Sequence, residues 1–395
     1  MNPLPPWHIA WDEREARRLE QDSEADLVVV GAGFTGLAAA YHAARFRPSR
    51  RIIVLEADRV GGGASGRTGG VVLEGTGSGL LPGTDKAIES LRRIISEAQI
   101  ECAIRTPGCY NVARRPRQAI VARPQWRDSG ALCAVQEEPG GDFDPGAYLS
   151  GLAHAAVGRG VTIYEQTALA AIEPGDPVRL KAGAFVVKAR HVILATNALS
   201  LDLMGQGRFL SSFNTFAIAT EPVPHEQLAE GWWADERPFY TFDLPYLWGR
   251  TTTDGRIIVG SGLAPCDDAW RACPDGEARC RELEQRLHGL HPAFADVEVS
   301  HGWWGPICFG KDTRPYLVSS GAAPNVWFVG GYAGHGVALS ALLAEALARH
   351  LEGDDSLLRE MPWLTRTPRH WLFPALKSLE AKASLALGRL RRRDA

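Results

Sequence analysis

Three glycines and one acid carry the first legible chemistry of this chain. Gly31, Gly33 and Gly36 are spaced G-x-G-x-x-G, and Glu56 follows 20 residues after the last of them. At that spacing the first glycine makes a tight turn, the second lets a pyrophosphate approach the backbone, and the third lets a helix pack close to a strand. A helix starting at the turn directs free N–H groups at phosphate, and an acid at this distance accepts ribose hydroxyls. The stretch GGGASGRTGG, 61–70, is too glycine-rich for a helix or strand and suits a loop wrapped around a ligand. A late stretch, VGGYAGHGVALS at 329–340, places another glycine turn before a helical run.

The elements that must position these residues follow from the apolar pattern. Leu27–Val30 reads as a buried parallel strand, the Ala-rich 37–44 as a helix, and Ile52–Leu55 as a second strand ending at Glu56. HVILATNA, 191–198, reads as a strand returning to that sheet, and NVWFVG, 325–330, as one more, followed by a turn at 331–336 and a long helix over 337–352. Between them the pattern predicts helices over 86–104 and 144–159, a strand over 108–115, and short strands at 161–164, 168–173, 177–181 and 184–188. Residues 199–310 differ in texture: aromatic residues are frequent, Asp254-Gly255 signals a hairpin, 276–289 reads as helix and 297–304 as strand. The expected organisation is an N-terminal arm (1–25) pinned by Trp7, Trp11 and Leu19, a nucleotide-binding domain in three pieces (26–85, 144–200, 311–360), an inserted substrate domain (86–143 and 201–310), and a C-terminal helical tail (361–395).

Composition narrows the function classes. The 395 residues suit two domains, and 45% hydrophobic content supplies an ordinary core. A net charge of −3 leaves no electrostatic footprint for nucleic acid. The seven cysteines are scattered, without C-x-x-C or a zinc pattern, so no metal site is expected and free thiols in a reducing cytoplasm are the simplest reading. No apolar run reaches the length of a membrane span. The tail from Trp371, apolar at helical spacing and basic at its end, reads as a helix docked on the body rather than laid on a membrane.

The fingerprint alone serves a nicotinamide or a flavin dinucleotide. Three features favour FAD. The 61–70 loop follows Glu56 directly, where a long dinucleotide would lie, and Ser65 and Arg67 offer hydrogen bonds to it. The closing strand–turn–helix lies at the far end of the chain, so one ligand is gripped from both ends. That closing turn opens a helix N-terminus, which stabilises the anionic pyrimidine side of a reduced flavin.

With these motifs assembled, the chain resembles the D-amino-acid-oxidase-like FAD-dependent oxidoreductases, nearest to the gamma-glutamylputrescine oxidase group, with sarcosine and glycine oxidases as more distant cousins. The carrying segments are VVVGAGFTGLAAA, VLEADRVGGGASGRTGG, VILATNA, GRTTTDGRIIVGSG, WWGPICFGKDTRPYLV and NVWFVGGYAGHGVALS. The resemblance implies an α/β fold of the glutathione-reductase/D-amino-acid-oxidase type: a Rossmann-like FAD-binding domain with an inserted domain of antiparallel sheet plus helices. It implies non-covalent FAD. Gly31, Gly33, Phe34, Thr35, Gly36, Glu56 and Ala57 would hold the ADP half, with Leu169 backbone at the adenine. Ala64, Ser65, Gly66, Arg67, Thr68, Gly69 and Gly70 would line the cofactor. Ala195, Thr196 and Asn197 would pass the pyrophosphate, and Gly331, Gly334, His335, Gly336 and Val337 would face the flavin.

Members of such a family remove hydride from the carbon beside an amine nitrogen, leaving an imine that water hydrolyses. The protein has to orient the C–H bond and keep the amine neutral. Glycine-oxidase-like relatives clamp the substrate carboxylate with an arginine before an Asp-x-x-Pro; here, counting from Asp312 and Pro315, that position is Ile307, which favours an amine or a substrate with a distant carboxylate, unless Arg250 or Arg314 takes over the clamp. Cys308 lies at the wrong spacing to tether the flavin and reads as a buried thiol. The substrate-side candidates are His335, Tyr332, Lys311, and the alternating Tyr246, Trp248 and Arg250, which share one strand face. That face is either an aromatic wall for an amine or core of the β-rich lobe. His335 either faces the flavin or bonds local backbone, and Lys311 either orients water or oxygen or is solvated. The expected partner is a small amine or amino acid, with oxygen or an unassigned acceptor taking the electrons. The alternatives are a dehydrogenase passing electrons to a non-oxygen acceptor and a non-catalytic flavin-bearing subunit.

Overall fold

The computed structural model describes residues 1–11, 17–114, 126–241, 246–320, 323–366 and 368–371. The apolar run after Ala25 extends back to Ser23, giving a strand Ser23–Val30 at the centre of a sheet. Its neighbours Ile52–Leu55 and Phe185–Leu194 both run parallel to it, with Val29 opposite Val54 and Ile193. Thr162–Tyr164 flanks one side in parallel and Ala323–Gly330 the other, and Tyr316–Ser320 closes the edge antiparallel. The sequence pattern separates 184–188 from 191–198. In the structure a single strand crosses the polar Arg190-His191 step, because Val187–Leu194 pairs parallel with Ser23–Val30 along one side, while the other side pairs antiparallel with Val178–Ala182 and then parallel with Ala323–Gly330. The continuous ladder with Ser23–Val30 outweighs the local break in hydrophobicity.

Helices cover this sheet. Helix α1 (Phe34–Phe46) leaves the first glycine turn, α2 (Ala87–Glu97) is shorter than the 86–104 run predicted, and α3 (Pro145–Val157) is capped by Asp144, whose carboxylate accepts the Ala147 N–H at 3.0 Å. Helices α4 (His225–Glu230) and α5 (Gly276–Leu290) belong to the β-rich region, and α6 (Gly336–His350) follows the last glycine turn. Alanines and leucines of α1, α3 and α6 share one buried cluster with Leu27 and Val29, so both glycine turns are anchored to the same core.

The second sheet orders Val299–Gly310, Leu210–Thr220, Ile257–Pro265, Trp248–Thr251, Phe239–Thr241, Cys109–Ala113 and Ala131–Glu138, with Trp126–Arg127 at the edge. It is antiparallel except where Phe239–Thr241 runs parallel to Cys109–Ala113. That junction joins two separate chain excursions, so no hairpin dictates its direction. The strand predicted over 297–304 continues to Gly310, held along its length by Leu210–Thr220. A small ladder, Val71–Leu73 with Gly140–Asp142, bridges the two sheets.

The N-terminal arm lies across the body. Asn2 bonds the Ser300 carbonyl, Trp7 packs edge-on against Trp303 and donates to the Gly66 carbonyl at 2.8 Å, and Trp11 packs on His154. At the other end Trp371 is buried against Phe213 and Phe309; the tail beyond it, read above as a helix, lies outside the described residues.

Candidate active site

Two helix N-termini open into one cavity of about 520 Å³. Gly33, Phe34 and Thr35 at the start of α1 line it, and so do Gly334, His335, Gly336 and Val337 at the start of α6. Neither Gly33 nor His335 caps its helix with a side chain, and the Phe34 N–H is met by the Ser65 hydroxyl at 3.0 Å. Tyr332 and Thr35 join the two turns through their hydroxyls at 2.9 Å, and burial pushes the phenol of Tyr332 well above its ordinary range. Gly31 and Gly36 stand behind this wall. A Cβ on Gly36 would lie 1.9 Å from the Gly31 carbonyl oxygen, so only glycine lets α1 start this close to the sheet.

Glu56 ends the second strand as the spacing requires. Its two carboxylate oxygens accept the Ala32 and Asp58 N–H groups at 2.8 and 2.9 Å, which lower a pKa that burial raises. Each oxygen keeps acceptor capacity. Ala57 is exposed beside it, and Leu169, paired with Ala182, stays outside the cavity wall. Along the 61–70 loop, Ala64, Ser65, Arg67, Thr68 and Gly69 line the cavity. The carbonyls of Gly66 and Gly70 instead accept bonds from Trp7 and Phe143. Arg67 stacks on Trp270 and donates to the Trp304 carbonyl at 3.2 Å; burial and then Arg271 lower its pKa.

Ala195 and Asn197 line the cavity at the end of the returning strand, whereas Thr196 between them does not. Asn197 holds the closing turn: its side-chain oxygen accepts the Gly331 N–H at 3.0 Å and the Cys308 thiol at 3.2 Å. Cys308 is fully buried, and burial pushes its thiol up to about 12.

Of the substrate-side candidates, His335, Tyr332 and Tyr246 line the cavity, together with Trp248 and Ile307. His335 also bonds the Ala333 carbonyl at 3.2 Å. Arg250 and Lys311 do not line it. Arg250 shares its strand with Trp248, but its side chain runs beneath the 61–70 loop, where it is 3% exposed, donates to the Gly69 carbonyl and pairs with Asp142 at 3.5 Å. Alternation assigns a face, not a depth along it. Lys311 sits half-buried in the turn after Gly310, off the wall.

A second group on the wall lies outside the sequence motifs: Glu74 and Thr76–Leu80 on one loop, and Gln136, Glu138, Tyr240 and Thr241 on the second sheet. Leu73 pairs with Gly140, so Glu74 and Glu138 leave the bridging ladder at the same end. Tyr240 donates to Glu138 at 2.5 Å. Burial, helped by Asp85, raises the Glu74 pKa. The signal available was an acid ending an apolar run, VVLE, directly before GTGSG.

The residues present fit FAD. Gly334 has φ +86° and a Cβ there would meet nothing within 4 Å, so bare backbone lines the cavity beside the N-terminus of α6. The start of α1 lines the same cavity, and Glu56, bonded to the turn before that helix though not itself on the cavity wall, keeps acceptor capacity on both oxygens. Comparison with known proteins agrees. Residues 26–350 match the family described as FAD dependent oxidoreductase. The chain is 29% identical over 386 residues to the probable oxidoreductase OrdL of Haemophilus influenzae, spanning 86% of each. It is 26% identical over 378 residues to the gamma-glutamylputrescine oxidoreductase of Escherichia coli, spanning 85% of each. Among solved structures, glycine oxidase from Geobacillus kaustophilus superposes with a TM-score of 0.72 at 18% identity, covering 88% of this chain and all of that one. L-proline dehydrogenase from P. horikoshii gives 0.70 at 17% identity, with 88% and 100% covered. Among the described residues no helix is long and apolar enough to cross a membrane. From the paired glycine turns, the acid at Glu56 and the match across most of its length, this chain belongs to the FAD dependent oxidoreductase family.

Proposed function

We propose that the protein oxidises the carbon–nitrogen bond of a small amine that carries its second polar group as a cation or neutral donor rather than as an α-carboxylate. The charge of the cavity carries this reading. Glu74 and Glu138 line it, Ile307 presents an apolar surface, and the one described Lys or Arg side chain on the wall, Arg67, is already engaged with Trp304 and Trp270. A carboxylate substrate would meet two like charges and no free guanidinium, whereas an ammonium group would meet carboxylates and the aromatic faces of Tyr246 and Trp248. The E. coli relative's name, with its putrescine-derived substrate, is consistent with an amine.

Bound FAD would supply the hydride acceptor. The protein's part is orientation and charge. The first turn of α6 opens onto the cavity and would stabilise negative charge on a flavin held there, and the Ile307–Phe309 strand end, with Leu263, packs an apolar wall that favours the neutral form of the reacting amine. No acid–base pair is required if the neutral amine binds. The seven thiols, all unbridged, support a reducing compartment, the cytoplasm.

The test is an anaerobic screen of the flavin-loaded protein against diamines, N-substituted diamines, monoamines and α-amino acids, read as loss of visible flavin absorbance. Bleaching by diamines ahead of α-amino acids supports the reading; bleaching by α-amino acids alone, or by none of the panel, overturns it. Peroxide formation in air then assigns oxygen as acceptor, and dye reduction without peroxide assigns a dehydrogenase.

A further inference from the structure

We propose that Arg250 is a positioning residue for the flavin: it fixes the 61–70 loop through the Gly69 carbonyl and so ties the cofactor wall to the substrate wall. Four contacts converge on this point. The Arg250 Nε donates to the Gly69 carbonyl. Gly69 is pressed onto Trp248, so that a Cβ there would fall 1.9 Å from the indole ring. Gly70 has φ +78°, and a Cβ on it would meet the Phe143 carbonyl at 2.7 Å and the Arg250 guanidinium at 2.9 Å. Phe143 in turn donates its N–H to the Gly70 carbonyl at 3.2 Å.

The guanidinium is itself held. Asp142 faces it at 3.5 Å and receives two bonds from Arg105, at 2.9 and 3.1 Å, while Arg105 also reaches the Thr251 carbonyl and Glu236. Asp142 is 1% exposed, and both arginines reach the same carboxylate oxygen, Oδ1. An arginine buried to this degree is retained at a desolvation cost that a packing role would not require. What the charge acquires is a fixed carbonyl at Gly69, and with it the direction of the Thr68–Gly69 backbone along the cavity. Because Trp248 lies on the same short strand, the loop cannot shift without moving the aromatic wall.

The experiment uses apoprotein titrated with FAD. Arg250→Met keeps bulk and removes the donor and charge; the FAD dissociation constant rises at least tenfold, and the visible circular dichroism of the bound flavin changes shape. Arg250→Lys, which restores a cation and an N–H donor, recovers part of both. The melting temperature of each apoprotein is the control. Affinity and dichroism equal to wild type overturn the proposal, and so does a loss of affinity matched by an equal loss of apoprotein stability, which would assign Arg250 to the fold at large. If Arg250→Met does not fold, Arg250→Lys decides by the same two criteria. Amine turnover is not read, so the outcome is independent of the substrate assignment; failure of the wild type to take up FAD would instead count against the family assignment.

Discussion

Replacing Gly36 by alanine sets two physical effects against each other in one substitution. Gly36 lies in the first turn of α1, and in a helix interior the change from glycine to alanine is worth about 1 kcal/mol in favour of the alanine. At this position, however, the new methyl would sit 1.9 Å from the Gly31 carbonyl oxygen and 3.2 Å from Val29 Cγ1. The first distance is roughly 1.5 Å inside ordinary van der Waals contact. The atom it meets is backbone, and the Ala32 N–H of the same planar peptide unit is bonded to the Glu56 carboxylate at 2.8 Å, so the carbonyl cannot turn away without breaking that bond. Overpacking of this kind costs up to about 3 kcal/mol, leaving a net loss of about 2 kcal/mol after the helical gain. Relief comes from moving the start of α1 off the sheet, which is the surface that receives the pyrophosphate. If the whole loss falls there, FAD binds about 30-fold more weakly. Fluorescence titration of apoprotein with FAD, with thermal melts alongside, measures both parts. Gly289→Ala in α5, where a Cβ meets nothing within 4 Å, is the internal control and should stabilise by up to about 1 kcal/mol. A Gly36→Ala protein that binds FAD within twofold of wild type and melts no lower would refute the steric argument.

Glu74→Gln should raise KM for a diamine substrate several-fold with little change in kcat; in the wild type the same KM should climb as pH falls through the raised Glu74 pKa, and in the variant that climb should flatten. Ile307→Arg should weaken diamine binding and admit α-amino acids, read as a reversal of the bleaching order in the screen; an unchanged order would place the substrate elsewhere in the cavity. His42 is buried in α1 without a partner for either ring nitrogen, and burial lowers its pKa from 6.5 to about 4. Since the unfolded chain binds a proton between those values and the folded one does not, stability should fall as pH drops from 6.5 towards 4, by up to about 3 kcal/mol. Denaturant melts of His42→Leu should lose that slope. Trichloroacetic acid should release all FAD into the supernatant, and iodoacetamide at neutral pH should leave Cys308 unlabelled in the native protein, its thiol being held near 12.

Features set by neighbours in sequence were legible from the sequence. The turn at Gly31–Gly36, the acid at Glu56 and the closing turn before α6 are each defined within a few residues, and their convergence follows once the strands between them join one parallel sheet. What escaped depends on partners distant in the chain. Glu74 becomes a wall residue only because Leu73 pairs with Gly140, and no local pattern announces that ladder. Arg250 has the alternation expected of a substrate-facing residue, but Asp142 supplies a counter-charge beneath the loop, and a buried cation goes to its partner. The helix over 86–104 ends early because amphipathic spacing persists past Glu97 while the backbone turns at Gln99, which adopts φ +53°.

The N-terminal arm has a consequence for assembly. Its anchor points are Gly66, His154, Ser300 and Trp303, all of which leave the ribosome after it does, the last of them some three hundred residues later. This segment therefore cannot reach its full set of contacts until the strand carrying Ser300 and Trp303 has been made, and Trp7 then ties that strand to the loop from Gly61 to Gly70.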